Sequence, residues 1–184
     1  VQGASAAAKE KGITVEIKYS YKYGSTFSAS TELQTQIAGW YASGTEVVFA
    51  CGGSMFQSVL SAASEYENAK IIGVDVDQSA ESSKVITSAM KGLSASVERI
   101  LGQFYDNKWD SELADKAQNL GAAEGATGLP EDTWSMKNFT VEQYKALFKK
   151  VADGEIVPDS KTPDDANNAD WLKGIPNVTI DFEA

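Results

Sequence analysis

Two aspartates, Asp75 and Asp77, stand one residue apart at the end of the apolar segment KIIGV. Acidic residues in this setting can have three roles. A D-x-D pair can hold a divalent cation for phosphoryl transfer, because hard cations take carboxylate oxygens. A single carboxylate, which has two acceptor oxygens, can bind both hydroxyls of a vicinal diol. Acids at a strand end can also be solvated loop residues, and the pattern by itself leaves all three interpretations open.

A glycine pair and the two residues after it form a second candidate segment, which follows the apolar run EVVFAC and consists of Gly52, Gly53, Ser54 and Met55. Glycine lets a ligand approach the main chain closely, and the N–H groups at the start of the next helix can point toward it. The segment matches neither the G-x-x-x-x-G-K-[ST] phosphate loop nor the G-x-G-x-x-G dinucleotide loop. It predicts either the lining of a ligand site or an ordinary tight turn with Met55 in the core.

Lys91 is the third candidate. It follows the segment VITSAM near the predicted start of a helix, where acidic residues are favoured over basic ones. A residue that conflicts with its local preference is often kept for function. The alternative is a lysine that is only solvated.

The elements that would position these residues follow from the apolar periodicity. Helices predicted around residues 29–43, 56–63, 93–105 and 141–152 alternate with strands at ITVEIKYSY, EVVFAC, KIIGVD and KVITSAM. This alternation indicates an α/β fold with a doubly wound, mostly parallel sheet. Ligands bind at the carboxyl ends of the strands in such sheets, so the three candidate segments should converge at one edge.

Three expectations concern the remaining apolar residues. The continuous run EVVFAC is typical of a strand buried on both faces, and Cys51 within it is expected to be a buried, unreactive thiol. The helix around residues 141–152 should turn Tyr144, Leu147, Phe148 and Val151 inward. The segment NVTIDFE near the end of the chain alternates in the manner of a strand.

Composition excludes several classes of function. The chain has 184 residues, enough for one domain with a real core, and a formal net charge of -10, which would repel nucleic acid and anionic lipid. It contains no histidine, so Ser-His-Asp catalysis, His-ligated zinc and HExxH chemistry are unavailable. No run is apolar and long enough to span a bilayer. No catalytic residue, metal-ligand set or cofactor is predicted, and the chain is not expected to be an enzyme.

One enzyme class nevertheless fits part of the pattern. Haloacid-dehalogenase-like, Mg²⁺-dependent phosphatases use a set of residues that several positions here resemble, namely Asp75, Asp77, Ser79, Thr87 or Ser88, Lys91 and the pair Asp164-Asp165. Two features place this alternative second. Its aspartate motif should open the sheet, but two strands precede it here, and its acidic pair should end a buried strand, whereas TPDDANNAD is a polar loop.

Four segments in order, from residue 44 to residue 158, resemble the basic membrane protein family of substrate-binding lipoproteins, which includes the bacterial purine nucleoside receptor. They are GTEVVFACGGS, KIIGVDVDQS, VITSAMKGL and VADGEIVPDS. The resemblance implies a type I periplasmic-binding-protein-like fold, in which a small ligand is clamped between two lobes and passed to the permease of an ABC importer. It implies a purine nucleoside as ligand, with no chemical conversion.

The resemblance also implies roles for the candidate residues. Asp75 would bind the ribose hydroxyls together with Lys91, the segment from Gly52 to Met55 would line the ligand site, and Asp77 would order its loop. Family members carry smaller residues near Cys51 and Met55, so the subsite for the base is expected to differ here.

The resemblance further implies that residues 1–184 are one α/β lobe, the C-terminal one, with a strand-forming tail at about 155–184. The family's N-terminal lobe and its lipid-anchor cysteine would precede this chain, and the parent protein would be extracytoplasmic and anchored to the bacterial cell membrane. The first strand of the lobe would also be missing. An unfilled place in the sheet exposes strand edges, which predicts that the chain self-associates.

Overall fold

The computed structural model describes residues 1–159 and 174–183. The chain forms two compact units, one made of Val1–Ser28 with Pro158–Ala184 and the other of Ala29–Val157. The sequence analysis expected one lobe, and the assignment of both units to a single lobe stays a prediction. No helix of the described residues is long and apolar enough to cross a membrane.

The first unit is a helix followed by two parallel strands. Helix α1 (Gln2–Lys11) ends at Gly12, which has a φ of 65° and donates its N–H to the last turn of the helix. A glycine in this left-handed conformation is a common end of an α-helix. Strand β1 (Val15–Ser20) pairs in parallel with β6 (Val178–Glu183), which confirms the strand predicted at NVTIDFE.

The second unit contains a four-stranded sheet in the order β2-β3-β4-β5. Strands β2 (Val47–Phe49), β3 (Lys70–Asp75) and β4 (Val85–Lys91) are mutually parallel, and the two-residue β5 (Thr127–Gly128) runs antiparallel to β4. The predicted α/β class with a mostly parallel sheet is therefore confirmed. Because β3 and β4 are parallel neighbours, their carboxyl ends lie side by side at one edge of the sheet.

Helices α2 (Thr31–Ala42) and α3 (Met55–Ala63) pack against each other, and α3 packs on β3. Helix α2 begins at Ser30, whose hydroxyl accepts the N–H of Leu33. The core of this unit is made of residues that are almost fully buried, among them Ile37, Phe56, Val59, Ala62, Ala63 and Ile71. Burial raises the pKa of Tyr41 to about 12, and its hydroxyl donates to the carbonyl of Lys70. The buried apolar faces of both helices thus form the core of this unit.

Strand β2 corrects the prediction of a strand buried on both faces. Val48 is buried, but Val47 and Phe49 are 41% and 47% exposed. The strand is at the end of the sheet, and within the described part of the chain only the face that carries Val48 is covered. Cys51, expected to be buried, is exposed.

The last two helices of the second unit are less buried than their apolar patterns suggest. Within the described structure, α4 (Leu93–Tyr105) has no buried residue, although its apolar side chains share one face. Helix α5 (Val141–Ala152) begins with a capping box between Thr140 and Gln143. It buries Tyr144 as predicted, but Leu147 is 46% exposed, which corrects the expectation that it faces inward.

Candidate functional site

The candidate site lies where β3 and β4 end together. Asp75 is the last residue of β3 and pairs in register with Met90, so Lys91 follows directly beside it. Nζ of Lys91 lies 2.6 Å from Oδ1 of Asp75. The two side chains remain 65% and 38% exposed, respectively. Asp75 and Lys91, which the sequence analysis expected at one edge of the sheet, therefore form an ion pair, and a large part of both side chains is accessible to solvent.

The hydrogen bond with Asp75 raises the pKa of Lys91 above its ordinary value, and the negative charge of the same carboxylate adds to this effect. A smaller contribution comes from Cys51, the residue that follows β2 by two positions. The charged form of the lysine is therefore favoured at neutral pH.

The main chain is unusual at Asp75. Its φ is 69°, and the N–H of Val76 donates to the carbonyl of Val74 at 2.8 Å, a bond that spans Asp75. A three-residue turn with this bond and positive φ is a γ-turn, a rare and strained conformation. The turn directs the chain away from the sheet directly after the carboxylate.

The residues around this turn are closely interlocked. The side-chain carbonyl of Gln78 accepts the N–H of Val74 at 2.8 Å, and the N–H of Gln78 donates to Oγ of Ser88 at 3.0 Å. Ser88 is fully buried. A Cβ on Gly73 would lie 2.5 Å from Oγ of Ser88 and 2.7 Å from Oε1 of Gln78, so only glycine leaves room for these contacts.

Asp77 orders its loop, the role that the family resemblance implies. Its Oδ1 accepts the N–H of Ser79 at 3.0 Å, and its Oδ2 accepts the hydroxyl of Thr133 at 2.7 Å. Burial acts to raise the pKa of Asp77, but the hydrogen bonds from Thr133 and Ser79 outweigh it, and the net effect is a lowered pKa. Asp77 therefore joins the end of β3 to the segment before α5.

An open cleft of about 380 Å³ lies at this edge of the second unit. Asp75, Asp77 and Lys91 line it, together with Thr127 and Gly128 of β5, Glu131, and Tyr144 and Phe148 of α5. The size is in the range of sites that bind small molecules. Aromatic faces are therefore present alongside the ion pair.

The aromatic wall of the cleft is held by several contacts. The hydroxyl of Tyr144 accepts the N–H of Leu129 at 2.9 Å, and the Tyr144 ring lies 5.4 Å from the ring of Trp134. Phe148 lies 5.7 Å from the same tyrosine. At the rim, Lys145 forms an ion pair with Glu131 at 2.8 Å. Tyr144 thus positions the short strand β5 against α5.

The glycine segment after β2 is placed apart from the lining of this cleft. Gly52 is buried, Gly53 has a φ of 43°, and the hydroxyl of Ser54 accepts the N–H of Ala29 at 3.2 Å. Met55 is half-buried at the start of α3. The structure therefore brings Asp75 and Lys91 together, but among the described residues none of the segment 52–55 lines the cleft.

Sequence reasoning missed the contributions of β5 and α5 to the cleft. Glu131, Tyr144 and Phe148 lie 40 or more residues from Lys91 in the chain, and the rule that ligands bind at the carboxyl ends of parallel strands does not select them. The helical stripe of α5 identified Tyr144 and Phe148 only as inward-facing residues. Gln78 and Ser88 lie within the segments KIIGVDVDQS and VITSAMKGL that carry the family resemblance, but their hydrogen bonds were not predictable from spacing.

The geometry bears on the phosphatase alternative. Asp75 binds Lys91, and Asp77 binds Thr133 and Ser79, so each of the two carboxylates is already engaged by groups of the chain itself. Asp164 and Asp165, the proposed acidic pair, lie outside the described residues. In the part of the chain that the structure describes, no three acidic, cysteine or histidine side chains cluster as a set of metal ligands.

Comparisons with known proteins identify the family. Residues 3–161 match the Bmp family model, described as ABC transporter substrate-binding protein PnrA-like. The chain is 29% identical over 171 residues to the ABC transporter nucleoside-binding protein BmpA of Lactococcus lactis subsp. cremoris strain MG1363. That alignment covers 84% of this chain and 47% of BmpA, so the chain spans about half the length of this relative.

A solved structure shows the same fold. It is the crystal structure of an ABC transporter system solute-binding protein from Aeropyrum pernix K1, which superposes with a TM-score of 0.55 at 16% sequence identity. The match covers 95% of this chain and 66% of that protein. The predicted α/β fold, similar to that of periplasmic binding proteins, is therefore confirmed. On the match over residues 3–161, the chain belongs to the Bmp family of PnrA-like ABC transporter substrate-binding proteins.

Proposed function

We propose that this chain is part of the solute-binding component of an ABC importer and that Asp75 and Lys91 bind the sugar hydroxyls of a purine nucleoside. The observation that carries the proposal is the exposed ion pair between these residues at the joined ends of β3 and β4. Family membership supports a solute-binding role, and a nucleoside is the ligand named for the relative BmpA.

The ion pair suits a vicinal diol because each hydroxyl both donates and accepts hydrogen bonds. The carboxylate of Asp75 can accept from both hydroxyls, and the ammonium of Lys91 has three donors, of which the pair with Asp75 uses one. Hydrogen bonds to charged groups contribute about 1.5–3 kcal/mol each. A ligand without the diol would leave this charged pair partly unsatisfied when the site closes.

The charges of the cleft favour a ligand without a phosphate group. Three carboxylates, those of Asp75, Asp77 and Glu131, line it with one ammonium group, Lys91. The second lysine near the rim, Lys145, is engaged with Glu131. A phosphate placed here would be repelled by the surplus of negative charge, in a chain whose net charge is already -10. Nucleosides should therefore bind in preference to nucleotides.

The remainder of the cleft suits a planar, weakly polar group. Phe148 lines it and is half-buried, with part of its surface open. Aromatic faces favour offset stacking with flat rings. This combination of a diol-binding pair and an aromatic surface supports a nucleoside rather than a free sugar.

The mechanism that we propose involves binding and not chemical conversion. Ligand binding would draw together the two lobes of the parent protein, and the closed form would be recognised by the importer's permease. The parent protein would be extracytoplasmic and held to the membrane by a lipid anchor, as the resemblance to substrate-binding lipoproteins implies. No cofactor is part of this account.

We further propose that the isolated chain self-associates. Strand β2 is at the end of its sheet, and Val47 and Phe49 are exposed on it. Helix α4 exposes Leu93, Val97, Leu101 and Phe104, each by about half. Exposed apolar faces and free strand edges both favour association. Sedimentation should give a mass that rises with protein concentration, and a monomer mass at every concentration would contradict this proposal.

Calorimetry on the parent protein tests the nucleoside proposal. Inosine, guanosine, adenosine, ribose, hypoxanthine and inosine 5′-monophosphate would be titrated in the presence of a chelator. We expect binding of the nucleosides, weaker binding of hypoxanthine and ribose, and little binding of the monophosphate. Silence across the panel would remove the nucleoside assignment. Binding or phosphate release that appears only after Mg²⁺ is added would favour the phosphatase alternative.

A further inference from the structure

The carboxylate of Asp75 is presented by a strained main chain. Its φ of 69° places a residue with a side chain in the left-handed region, at the centre of a γ-turn closed by the bond from Val76 to Val74. Residues in such conformations persist only where the surrounding structure holds them. The groups that surround Asp75 must therefore hold this turn.

Gln78 forms one hydrogen bond through its side chain and another through its main chain. Its side-chain carbonyl accepts the N–H of Val74, the residue directly before Asp75, and its own N–H donates to Oγ of Ser88 on the neighbouring strand. The glutamine therefore spans the γ-turn and fastens it to both β3 and β4. Val74 is 9% exposed, so without Gln78 its N–H would have little access to water.

Two neighbours complete the arrangement. Gly73 has no Cβ and so leaves room for both Oε1 of Gln78 and Oγ of Ser88. On the far side, Asp77 ties the loop to Thr133. Within the segment from Gly73 to Gln78, the carboxylate of Asp75 pairs with Lys91, and Gly73, Asp77 and Gln78 hold the main chain around it.

We propose that Gln78 is a positioning residue, which holds the turn so that the Asp75 carboxylate meets Lys91. The consequence for ligand binding rests on the proposed function, but the effect on the ion pair does not depend on it. Loss of the Gln78 side-chain carbonyl should release the turn and separate Asp75 from Lys91, although neither charged residue is altered.

The reactivity of Lys91 toward an acylating reagent reports the ion pair without any ligand. Acylation consumes the neutral amine, and pairing with Asp75 holds Lys91 in its charged form. The rate would be measured by mass spectrometry at limiting acetic anhydride, relative to Lys145, whose ion pair with Glu131 serves as the internal standard. Asp75→Asn, which removes the negative charge, sets the rate expected for an unpaired Lys91.

Gln78→Leu should raise the relative rate at Lys91 several-fold, to near the rate in Asp75→Asn. Gln78→Glu, which keeps an oxygen acceptor for the N–H of Val74, should stay within about twofold of the unaltered chain. The thermal melting temperature of each variant is measured alongside. If Gln78 only stabilised the fold, Gln78→Leu would lower the melting temperature but leave the acylation rate of Lys91 unchanged. Ser88→Ala removes only the second bond and should give an intermediate rate; it replaces Gln78→Leu if that variant does not fold.

An unchanged Lys91 rate in folded Gln78→Leu, or in Ser88→Ala where that replaces it, would overturn the proposal when Asp75→Asn raises the rate. An unchanged rate in Asp75→Asn itself would overturn it too, since no ion pair would then exist to be positioned.

Inosine titration of the parent protein separates this result from the proposed function. If Gln78 acts through Asp75, Gln78→Leu should weaken inosine binding about tenfold, and it should have no further effect in the Asp75→Asn background. Absence of inosine binding in the unaltered parent would refute the nucleoside assignment, while the labelling result would still decide the role of Gln78.

Discussion

The chain leaves β3 and β2 through segments that look alike in the sequence, each an apolar run followed by small and polar residues. After β3, Gln78 binds Val74 and Ser88, and Asp77 binds Thr133. After β2, the side chain of Ser54 accepts one main-chain N–H, from Ala29. The hydrogen bonds after β3 thus reach both the neighbouring strand β4, through Ser88, and the segment before α5, through Thr133, whereas the bond from Ala29 joins Ser54 to the segment before α2.

This difference shows what the strand-end rule can and cannot predict. Position at the carboxyl end of a parallel strand brings residues to the same edge of the sheet. It does not decide which of them present a fixed group to a ligand. At the end of β3 the hydrogen bonds around Asp75 do so, whereas the glycine pair after β2 mainly turns the chain into α3.

Replacement of the glycine next to the turn should have the largest effect on stability. In Gly73→Ala the new Cβ would clash with Ser88 and Gln78, and overpacking of this kind costs roughly 1–3 kcal/mol. Gly39→Ala is the matched control, because a Cβ there meets nothing within 4 Å and alanine is the better helix former by roughly 1 kcal/mol. Urea unfolding should show opposite signs for the two variants. A neutral Gly73→Ala would mean that the turn is loosely held.

The bond between Thr133 and Asp77 should have a smaller effect that depends on pH. Thr133→Val removes a hydrogen bond to a charged acceptor and should cost about 0.5–1.5 kcal/mol at neutral pH, because solvent screens this exposed contact. The pKa of Asp77 is lower in the folded chain than in the unfolded chain, so its stabilising contribution is present above the unfolded pKa. That contribution is lost as the pH falls through the folded pKa.

The stability difference between Thr133→Val and the unaltered chain should therefore shrink in acid. Thr127→Val is the control, because the hydroxyl of Thr127 donates to the neutral carbonyl of Met90 and its loss should not depend on pH. Urea unfolding between neutral pH and about pH 3 measures both variants. A constant penalty for Thr133→Val across that range would show that the charge of Asp77 is not involved.

The smallest expected effect concerns the end of β2. Cys51 is exposed, so it should react with a thiol reagent in the folded chain at a rate within about tenfold of the unfolded rate. A buried thiol, as the sequence analysis expected, would react only when the chain opens. If Cys51 reacted with the thiol reagent only in denaturant, the expectation of a buried thiol would be correct after all.

The elements with long periodic patterns were predictable. The positions of α2 and α3 and the parallel sheet that contains β3 and β4 follow from apolar spacing and turn residues. The pairing of these two strands also placed Asp75 beside Lys91. The family resemblance in the sequence then implies that both residues belong to the ligand site.

Other features depend on contacts that the sequence does not encode locally. Strand β5 has two residues and lies in a glycine-rich stretch, so it has no periodic signal. Its contribution to the cleft depends on the hydrogen bond between Leu129 and Tyr144, and that of Glu131 on the ion pair with Lys145. The exposure of Phe49 and Cys51 follows from the place of β2 at the end of the sheet, and an apolar run alone cannot distinguish an end strand from a central one.

The central claim is that Asp75 binds the hydroxyls of a nucleoside sugar. The most direct test compares inosine with 2′,3′-dideoxyinosine by calorimetry in the parent protein and in its Asp75→Asn variant. Asp153→Asn is the control, since it breaks an exposed carboxylate–lysine pair with Lys149 away from the cleft. The account predicts that removing the two hydroxyls weakens binding at least tenfold in the parent and in the control, but little in Asp75→Asn. An equal loss in all three proteins would contradict it.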